Sequence, residues 1–156
     1  MVGNVTVRPF AASDSSHIVR LITGILSSEF PKDQNAYTTE DLHRLDETYS
    51  GPSNVFLVAE EGGHLVGTCG VKAEDSHTAI LRRLFVDRSR RGSGVGTRLL
   101  KEAIDFCKKA GFREVMIRTS DQMTGAIRLC RSLGFQEEGR WGMGGVSLIR
   151  FCLRIP

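Results

Sequence analysis

Apolar residues recur along the chain with two periods, one of about two residues and one of three to four. Near the N-terminus, VTVRPF (5–10) is typical of a short strand and is closed by Pro9. A helix is predicted after an N-cap at Ser13 or Asp14, because the following apolar residues have helical spacing: Ile18, Leu21, Ile22, Ile25 and Leu26. A polar loop and a weaker helix over about 39–49, with its two leucines inward, are predicted next.

The middle of the chain contains three strand-like runs rich in β-branched residues: NVFLVAEE (54–61), HLVGTCGVKA (64–73) and TAILRRLFVD (78–87). Two glycines in EGGH (61–64) indicate a tight turn between the first two, so we predict an antiparallel meander. An amphipathic helix is then predicted over 94–110. Gly111 gives that helix a natural C-terminal stop.

The C-terminal part continues with the same two periods. REVMIRTS (113–120) predicts a strand, and TGAIRLCRSL (124–133) predicts a helix that ends at Gly134. Two further strand-like runs, 135–141 and 146–155, flank a glycine-rich GMGG tip and predict a hairpin. The resulting order is β-α-α-β-β-β-α-β-α-β-β. This is a mixed α+β sheet, not a repeating βαβ ladder, and we predict one domain over residues 1–156.

Composition narrows the function classes. The chain has 156 residues, 40% of them hydrophobic and 25% charged, as in ordinary globular domains. Its net charge of +3 is too small to indicate a nucleic-acid partner but would suit an anionic small ligand at one site. Four scattered cysteines show neither metal-ligand spacing nor a disulfide framework. No apolar run of about 20 residues is present, so we expect a cytoplasmic protein without membrane contact.

The stretch VDRSRRGSGVGTRLL (86–100) places three glycines between arginines and a helix. A tight strand-to-helix turn would explain the glycines without any ligand. A dinucleotide fingerprint requires G-x-G-x-x-G after the first strand of a βαβ unit, and a P-loop requires a Gly-Lys pair; neither pattern is found. Bare backbone at a helix N-terminus, preceded by Arg91, suits a pyrophosphate.

Two motifs at this point carry a family resemblance. RGSGVG (91–96) resembles the R/Q-x-x-G-x-G/A signature of the GCN5-related N-acetyltransferases (GNAT), and AIRLCRSLGF (126–135) resembles their A-x-x-L-Y-x-x-L-G-F segment. The resemblance implies a twisted, mostly antiparallel sheet of about seven strands with a splayed parallel pair and about four helices. It also implies acetyl-CoA as acyl donor, no metal, and direct acetyl transfer to a primary amine. The acceptor would be a small amine, an amino acid or a protein amino terminus, and a homodimer is compatible with the family.

The resemblance also implies which residues bind acetyl-CoA. The main chain of the strand before the glycine loop should pair with the pantetheine arm, and the loop itself should hold the pyrophosphate. Met123 stands where relatives often have an asparagine that contacts pantetheine. The implied cofactor-binding residues are Leu84, Phe85, Val86, Arg91, Gly92, Ser93, Gly94, Val95, Gly96, Thr97 and Met123.

The expected proton carriers are where the sequence departs from the family. Cys130 occupies the slot of the usual tyrosine, so it is the candidate catalytic residue, with packing as the alternative role. Ile80 stands where many relatives carry glutamate, and Glu74, Asp75 and His77 are the nearby substitutes. These departures leave a second function open, a non-catalytic CoA-binding or interaction module of the same fold.

The consecutive pair Arg82 and Arg83 raises a separate question. Side chains of neighbouring strand residues point to opposite faces, so one of the two could point into the acceptor cleft. There it could meet a carboxylate of the substrate. The alternative is that both arginines are solvated at the margins of the sheet.

Overall fold

One seven-stranded sheet organises the computed structural model, which describes residues 4–31 and 40–156. In chain order its strands are β1 (Val5–Pro9), β2 (Val55–Glu61), β3 (His64–Ala73), β4 (Thr78–Val86), β5 (Glu114–Ser120), β6 (Gln136–Met143) and β7 (Val146–Arg154). The helices are α1 (Ser15–Glu29), α2 (Leu45–Thr48), α3 (Val95–Ala110) and α4 (Thr124–Ser132). Across the sheet the order is β1-β2-β3-β4-β5-β7-β6, which confirms the mixed α+β fold class.

All neighbouring strands are antiparallel except β4 and β5. This parallel pair runs in register from Thr78 opposite Glu114 to Leu81 opposite Ile117, and its pairing stops there. Both strands continue beyond that point, β4 to Val86 and β5 to Ser120. The expected splayed parallel pair is therefore present, and it leaves a gap between the two strand ends.

Two hydrophobic cores cover the two faces of the sheet. The larger one lies under α3, whose inward face combines six buried residues: Val95, Leu99, Leu100, Ala103, Ile104 and Cys107. The smaller core lies under α1, through Ile18, Ile22, Ile25 and Leu26. Burial on this scale, at about 25 cal/mol per Å² of apolar surface, is what holds helices of moderate propensity to the sheet.

The second helix is shorter than the sequence predicts. A 3₁₀ turn (Glu40–His43) and the four-residue α2 replace one continuous helix, because Arg44 between them has a non-helical backbone, with φ −137° and ψ 41°. Leu42 and Leu45 are buried as expected. The start of that predicted helix and most of the predicted polar loop (31–37) lie outside the described residues.

A β-bulge in β4 changes the direction of its side chains. Thr68 pairs with Phe85 and Gly70 with Arg82, so β4 holds one residue more than β3 between the two pairs. Arg83 is the bulged residue, and its backbone is left-handed, with φ 58°. Its carbonyl accepts a 2.7 Å hydrogen bond from the buried Thr68 hydroxyl.

Arg83 is also half of a buried ion pair. Its guanidinium bonds both carboxylate oxygens of Asp41, and the two side chains are only 4% and 10% exposed. Burial and then Asp41 raise the pKa of the Tyr49 hydroxyl, whereas Arg82 and Arg83 both lower it. The strict alternation predicted for the two arginines is therefore wrong at this bulge, since both lie near Tyr49.

Removing the Asp41 carboxylate should destabilise the fold, because it takes away two hydrogen bonds and a negative charge from the buried guanidinium of Arg83. We expect Asp41→Ala to lower the free energy of unfolding by about 3 kcal/mol or more. The exposed Asp46→Ala, in the first turn of α2, is the control and should cost under about 1 kcal/mol. Urea denaturation measures both, and equal losses would contradict the structural role of the ion pair.

Candidate functional site

A cleft of about 580 Å³ opens between the loop after β4 and helix α4. The loop contains a 3₁₀ turn (Arg88–Arg90), and the Asp87 carboxylate caps this turn by accepting hydrogen bonds from the Ser89 amide and hydroxyl, both at 2.9 Å. The cleft is lined by Val86, Arg90, Arg91, Gly92, Gly94, Val95, Gly96, Thr97, Gly125, Arg128, Leu129 and Ser132.

Two glycines shape the backbone of the loop beside this cleft. Gly92 and Gly94 have φ of 80° and 93°, in the left-handed region that favours glycine, and Gly94 is the N-cap of α3. The first helical bond of α3 runs from the Arg98 amide to the Gly94 carbonyl at 3.0 Å. Within the described part of the chain, no protein group accepts a hydrogen bond from the amides of residues 92–97. Such amides at the positive end of a helix dipole form an anion site.

A third glycine, Gly96, allows helices α3 and α4 to approach each other closely. A Cβ at Gly96 would lie 3.2 Å from Leu129 of α4 and 3.4 Å from Val86 of β4. The absence of a side chain thus lets the first turn of α3 approach α4 closely, and the cleft lies between these two helices.

The charged side chains that line the cleft are all basic. Arg90 forms an ion pair with Glu61, and Arg91 forms a bidentate pair with Glu29 at the end of α1. Arg128 of α4 lines the cleft and is exposed. A cleft with three guanidinium groups on its walls has the electrostatic character that phosphate groups require.

A smaller cavity of about 130 Å³ continues the cleft toward the gap between β4 and β5. It shares four residues with the larger cleft: Val86, Arg91, Gly125 and Leu129. Its other walls are Ile25, Phe30, Leu84, Phe85, Met123 and Ala126. One groove therefore leads from the glycine loop to the splayed strands.

The predicted cofactor-binding residues come together along this groove. The larger cleft holds Arg91, Gly92, Gly94, Val95, Gly96 and Thr97; the smaller one holds Leu84, Phe85 and Met123; Val86 and Arg91 line both. Ser93 does not line either cavity, and its hydroxyl donates to the Arg90 carbonyl within the loop. At the end of β4, the Val86 carbonyl already accepts hydrogen bonds from the Arg91 side chain, at 3.1 and 3.2 Å.

Cys130 lies away from the groove. It is fully buried in the larger core, and burial raises the pKa of its thiol to about 12. Its neighbour Leu129 faces the cavities, so the helix turns the thiol toward the core instead. This placement favours packing over catalysis as the role of Cys130.

The other candidate proton carriers stabilise a turn. Asp75 accepts hydrogen bonds from the amides of His77 and Thr78, at 2.7 and 2.8 Å, and these bonds hold the pKa of its carboxyl below the usual range. Glu74, Asp75 and His77 are exposed in the β3–β4 turn, at the end of β4 opposite the glycine loop. Within the described residues, none of them lines the groove.

Sequence reasoning missed the contribution of α4 to the groove. Gly125, Arg128, Leu129 and Ser132 have the i, i+3, i+4, i+7 spacing of one helix face, which was the available signal. In a separate group, the side-chain ligand atoms of Glu114, Glu138 and Cys152 lie within 4.8 Å of one another, and Arg154 forms ion pairs with both carboxylates. None of the helices in residues 4–31 and 40–156 has the length and apolar character that crossing a bilayer requires.

The fold matches solved acetyltransferases over nearly its whole length. A Streptococcus agalactiae acetyltransferase superposes with a TM-score of 0.86 and 17% identity, covering 98% of this chain and 99% of that one. A Salmonella typhimurium structure described with its cofactor acetyl-CoA gives a TM-score of 0.79 and 20% identity, covering 97% and 94%. The architecture is thus that of the acetyltransferases.

Sequence comparison identifies the family. Residues 20–135 match the acetyltransferase (GNAT) family model. The chain is 35% identical over 123 residues to an IAA acetyltransferase of Azospirillum brasilense, covering 77% of this chain and 80% of that protein. It is 34% identical over 128 residues to N-acetyltransferase 8 of Rattus norvegicus but spans only 58% of that protein's length. The chain belongs to the acetyltransferase (GNAT) family.

Replacing Cys130 should separate packing from catalysis. We expect Cys130→Ala to cost about 1 kcal/mol of unfolding free energy through a small cavity and to leave turnover unchanged. Cys69→Ala is the matched control, because Cys69 is also a fully buried thiol of the same core and does not line the groove. A hundred-fold loss of turnover in a folded Cys130→Ala protein, absent in the control, would establish Cys130 as a catalytic residue.

Proposed function

We propose that the protein is an acetyl-CoA-dependent N-acetyltransferase that moves an acetyl group to a primary amine by direct transfer. The observation that carries this proposal is the continuous groove. It begins at amides that have no acceptor in the described chain and runs along Leu84 to Val86, the part of β4 that no longer pairs with β5. A long anionic thioester, with phosphates at one end and the reactive carbonyl at the other, fits a groove of this kind.

The phosphate end of the donor belongs at the glycine loop. Amides of residues 92–97 and the positive end of α3 offer several short hydrogen bonds to a pyrophosphate. Arg91 and Arg128 add charge-assisted bonds from opposite walls of the cleft. Arg91 is bound by Glu29 and by the Val86 carbonyl, so phosphate binding would exchange one or both of those contacts.

The pantetheine arm belongs along the open edge of β4. Beyond Leu81 this edge no longer pairs with β5, so the main chain of Leu84 to Val86 can receive an extended ligand as an added strand. Phe30, Met123 and Ala126 provide apolar walls for the arm. Its far end then reaches the point where the two strands separate, which would bring the thioester next to Leu81 and Ile117.

The chemistry needs no covalent intermediate on the protein. The neutral amine attacks the thioester carbonyl, the C–N bond forms, and the C–S bond breaks to release the CoA thiolate. The proton lost by the amine reaches that thiolate as CoA leaves, so atoms and charge balance. Within the described residues no carboxylate or thiol lines the groove, which favours solvent as the proton carrier.

The relatives support the activity. The two relatives described above are named acetyltransferases, and the Salmonella typhimurium structure of the same fold is described with acetyl-CoA as its cofactor. A non-catalytic CoA-binding module is the second candidate, and the specific observation in its favour is the buried Cys130 in place of a tyrosine.

We further propose that residues 1–156 form a single N-acetyltransferase domain, because one sheet includes strands from Val5 to Arg154. We also propose that the protein is cytoplasmic.

Thiol release distinguishes the two candidates. Acetyl-CoA is incubated with the protein and a panel of primary amines, and free CoA thiol is measured over time. We expect amine-dependent release together with saturable acetyl-CoA binding. Saturable binding without release for any amine would support the non-catalytic module, and absence of acetyl-CoA binding would exclude both.

A pair of glycine substitutions tests the phosphate site. Gly92 and Gly111 have similar positive φ, 80° and 89°, and a Cβ at either position would meet no atom within 4 Å. Their alanine variants should therefore lose similar stability, about 1 kcal/mol each.

The two variants should differ in ligand binding. Gly92→Ala places a methyl group where the pyrophosphate approaches and should weaken CoA binding about ten-fold or more, whereas Gly111→Ala, at the far end of α3, should not change it. Calorimetric titration with CoA measures the difference. Equal affinities in the two folded variants would remove the glycine loop from the binding site.

A further inference from the structure

Three arginines lie at one level on three neighbouring strands. Leu81 and Ile117 form the last pair between β4 and β5, so the next residues on these strands, Arg82 and Arg118, stand side by side where the strands begin to separate. Arg118 is in turn paired with Arg150 of β7. The arginine row, Arg82, Arg118 and Arg150, therefore crosses the sheet at the beginning of the gap.

The arginine row lies on one face of the sheet. Each of its members follows a residue buried in the larger core: Leu81, Ile117 and Ile149. Since neighbouring side chains alternate along a strand, the three guanidinium groups point away from the α3 face. Arg82 also lowers the pKa of Tyr49, which belongs to the core on the other face.

The charges of the row are not balanced by the protein that the structure describes. Within residues 4–31 and 40–156, no carboxylate lies within ion-pair distance of Arg82, Arg118 or Arg150. The Arg150 guanidinium donates to the carbonyl of Glu138 at 3.3 Å and lies beside Gly139 of β6, so it would have to swing back over β7 to reach a ligand at the gap. In the described part of the chain, seven other arginines form ion pairs (Arg8, Arg83, Arg90, Arg91, Arg131, Arg140 and Arg154) and six do not, so the row is distinguished by the pairing of its members on neighbouring strands. Like charges on paired strand positions, as at Arg118 and Arg150, are destabilising, and an anion bound beside them would relieve that repulsion.

We propose that the arginine row binds an anionic oxygen group, a carboxylate or a phosphate, on the acceptor amine. The inference rests on the proposed function, because that function places the thioester at the same point, beside Leu81 and Ile117. An acceptor held by its anion at the row presents its amine to the gap. Polyamines and lysine side chains are disfavoured there, since three guanidinium groups repel their extra positive charge.

Matched amines test the proposal. β-Alanine is compared with β-alaninamide, which lacks the carboxylate, and O-phosphoethanolamine with ethanolamine, which lacks the phosphate. We expect at least ten-fold higher kcat/KM for one anionic member over its neutral partner, and the two pairs show which anion is preferred. Thiol release from acetyl-CoA measures turnover, and calorimetric titration into the CoA-loaded protein measures binding without turnover.

Substitutions in the arginine row test whether its residues cause the preference for anionic amines. Arg118 and Arg150 are exposed, so Arg118→Gln and Arg150→Gln should fold. Each should raise KM or Kd for the anionic amine at least ten-fold and change those of the neutral amine far less, whereas Arg118→Lys should restore part of the preference. Arg20→Gln, an exposed arginine of α1 with no carboxylate at ion-pair distance in the described residues, is the control and should change neither.

Several results would overturn the proposal. Neutral amines that react or bind as well as their anionic partners would do so, as would a preference for anions that survives both glutamine variants. Failure of every anionic amine to bind the CoA-loaded protein would also reject it. Failure of the proposed function is seen separately, as absence of acetyl-CoA binding before any amine is added.

Discussion

The separation of β4 from β5 after Leu81 and Ile117 is the constraint on which the rest of the site depends. Two adjacent strands would ordinarily continue their hydrogen bonds to the end of the sheet, and here the edges of both are left open. The bulge at Arg83 adds one residue to β4 against β3, which turns β4 away while it stays bonded to the other side of the sheet. The buried pair of Arg83 and Asp41 then ties the bulge to the segment between α1 and β2.

Regular periodicity made most of the fold predictable. Helices α1, α3 and α4 and all seven strands follow from apolar spacing and from glycine stops, because these elements bury one face and expose the other. The glycine loop was predictable for a related reason, since backbone at positive φ beside a helix N-terminus leaves its mark in residue type. The groove walls formed by Leu84 to Val86 and by Met123 follow from the family resemblance and the strand order.

Features that depend on a single backbone irregularity or on distant contacts could not be predicted. The bulge leaves no residue signature in TAILRRLFVD, so Arg82 and Arg83 were expected on opposite faces. The Asp41–Arg83 pair joins residues 42 positions apart, and only the folded chain brings them together. Register across β4, β5 and β7 is equally non-local, which is why three separated arginines do not look like a cluster in the sequence.

The arginine row also bears on how an amine could react without a general base in the groove. An acceptor amine must be neutral to attack, and an aliphatic ammonium loses its proton only at alkaline pH in water. Positive charges close to a bound ammonium disfavour its protonated form and lower its pKa, and the guanidinium groups of Arg82 and Arg118 at the beginning of the gap would act in this direction. Binding of the anionic group offsets only part of that charge. The same residues that select the acceptor would therefore help to deprotonate it, with water carrying the proton away.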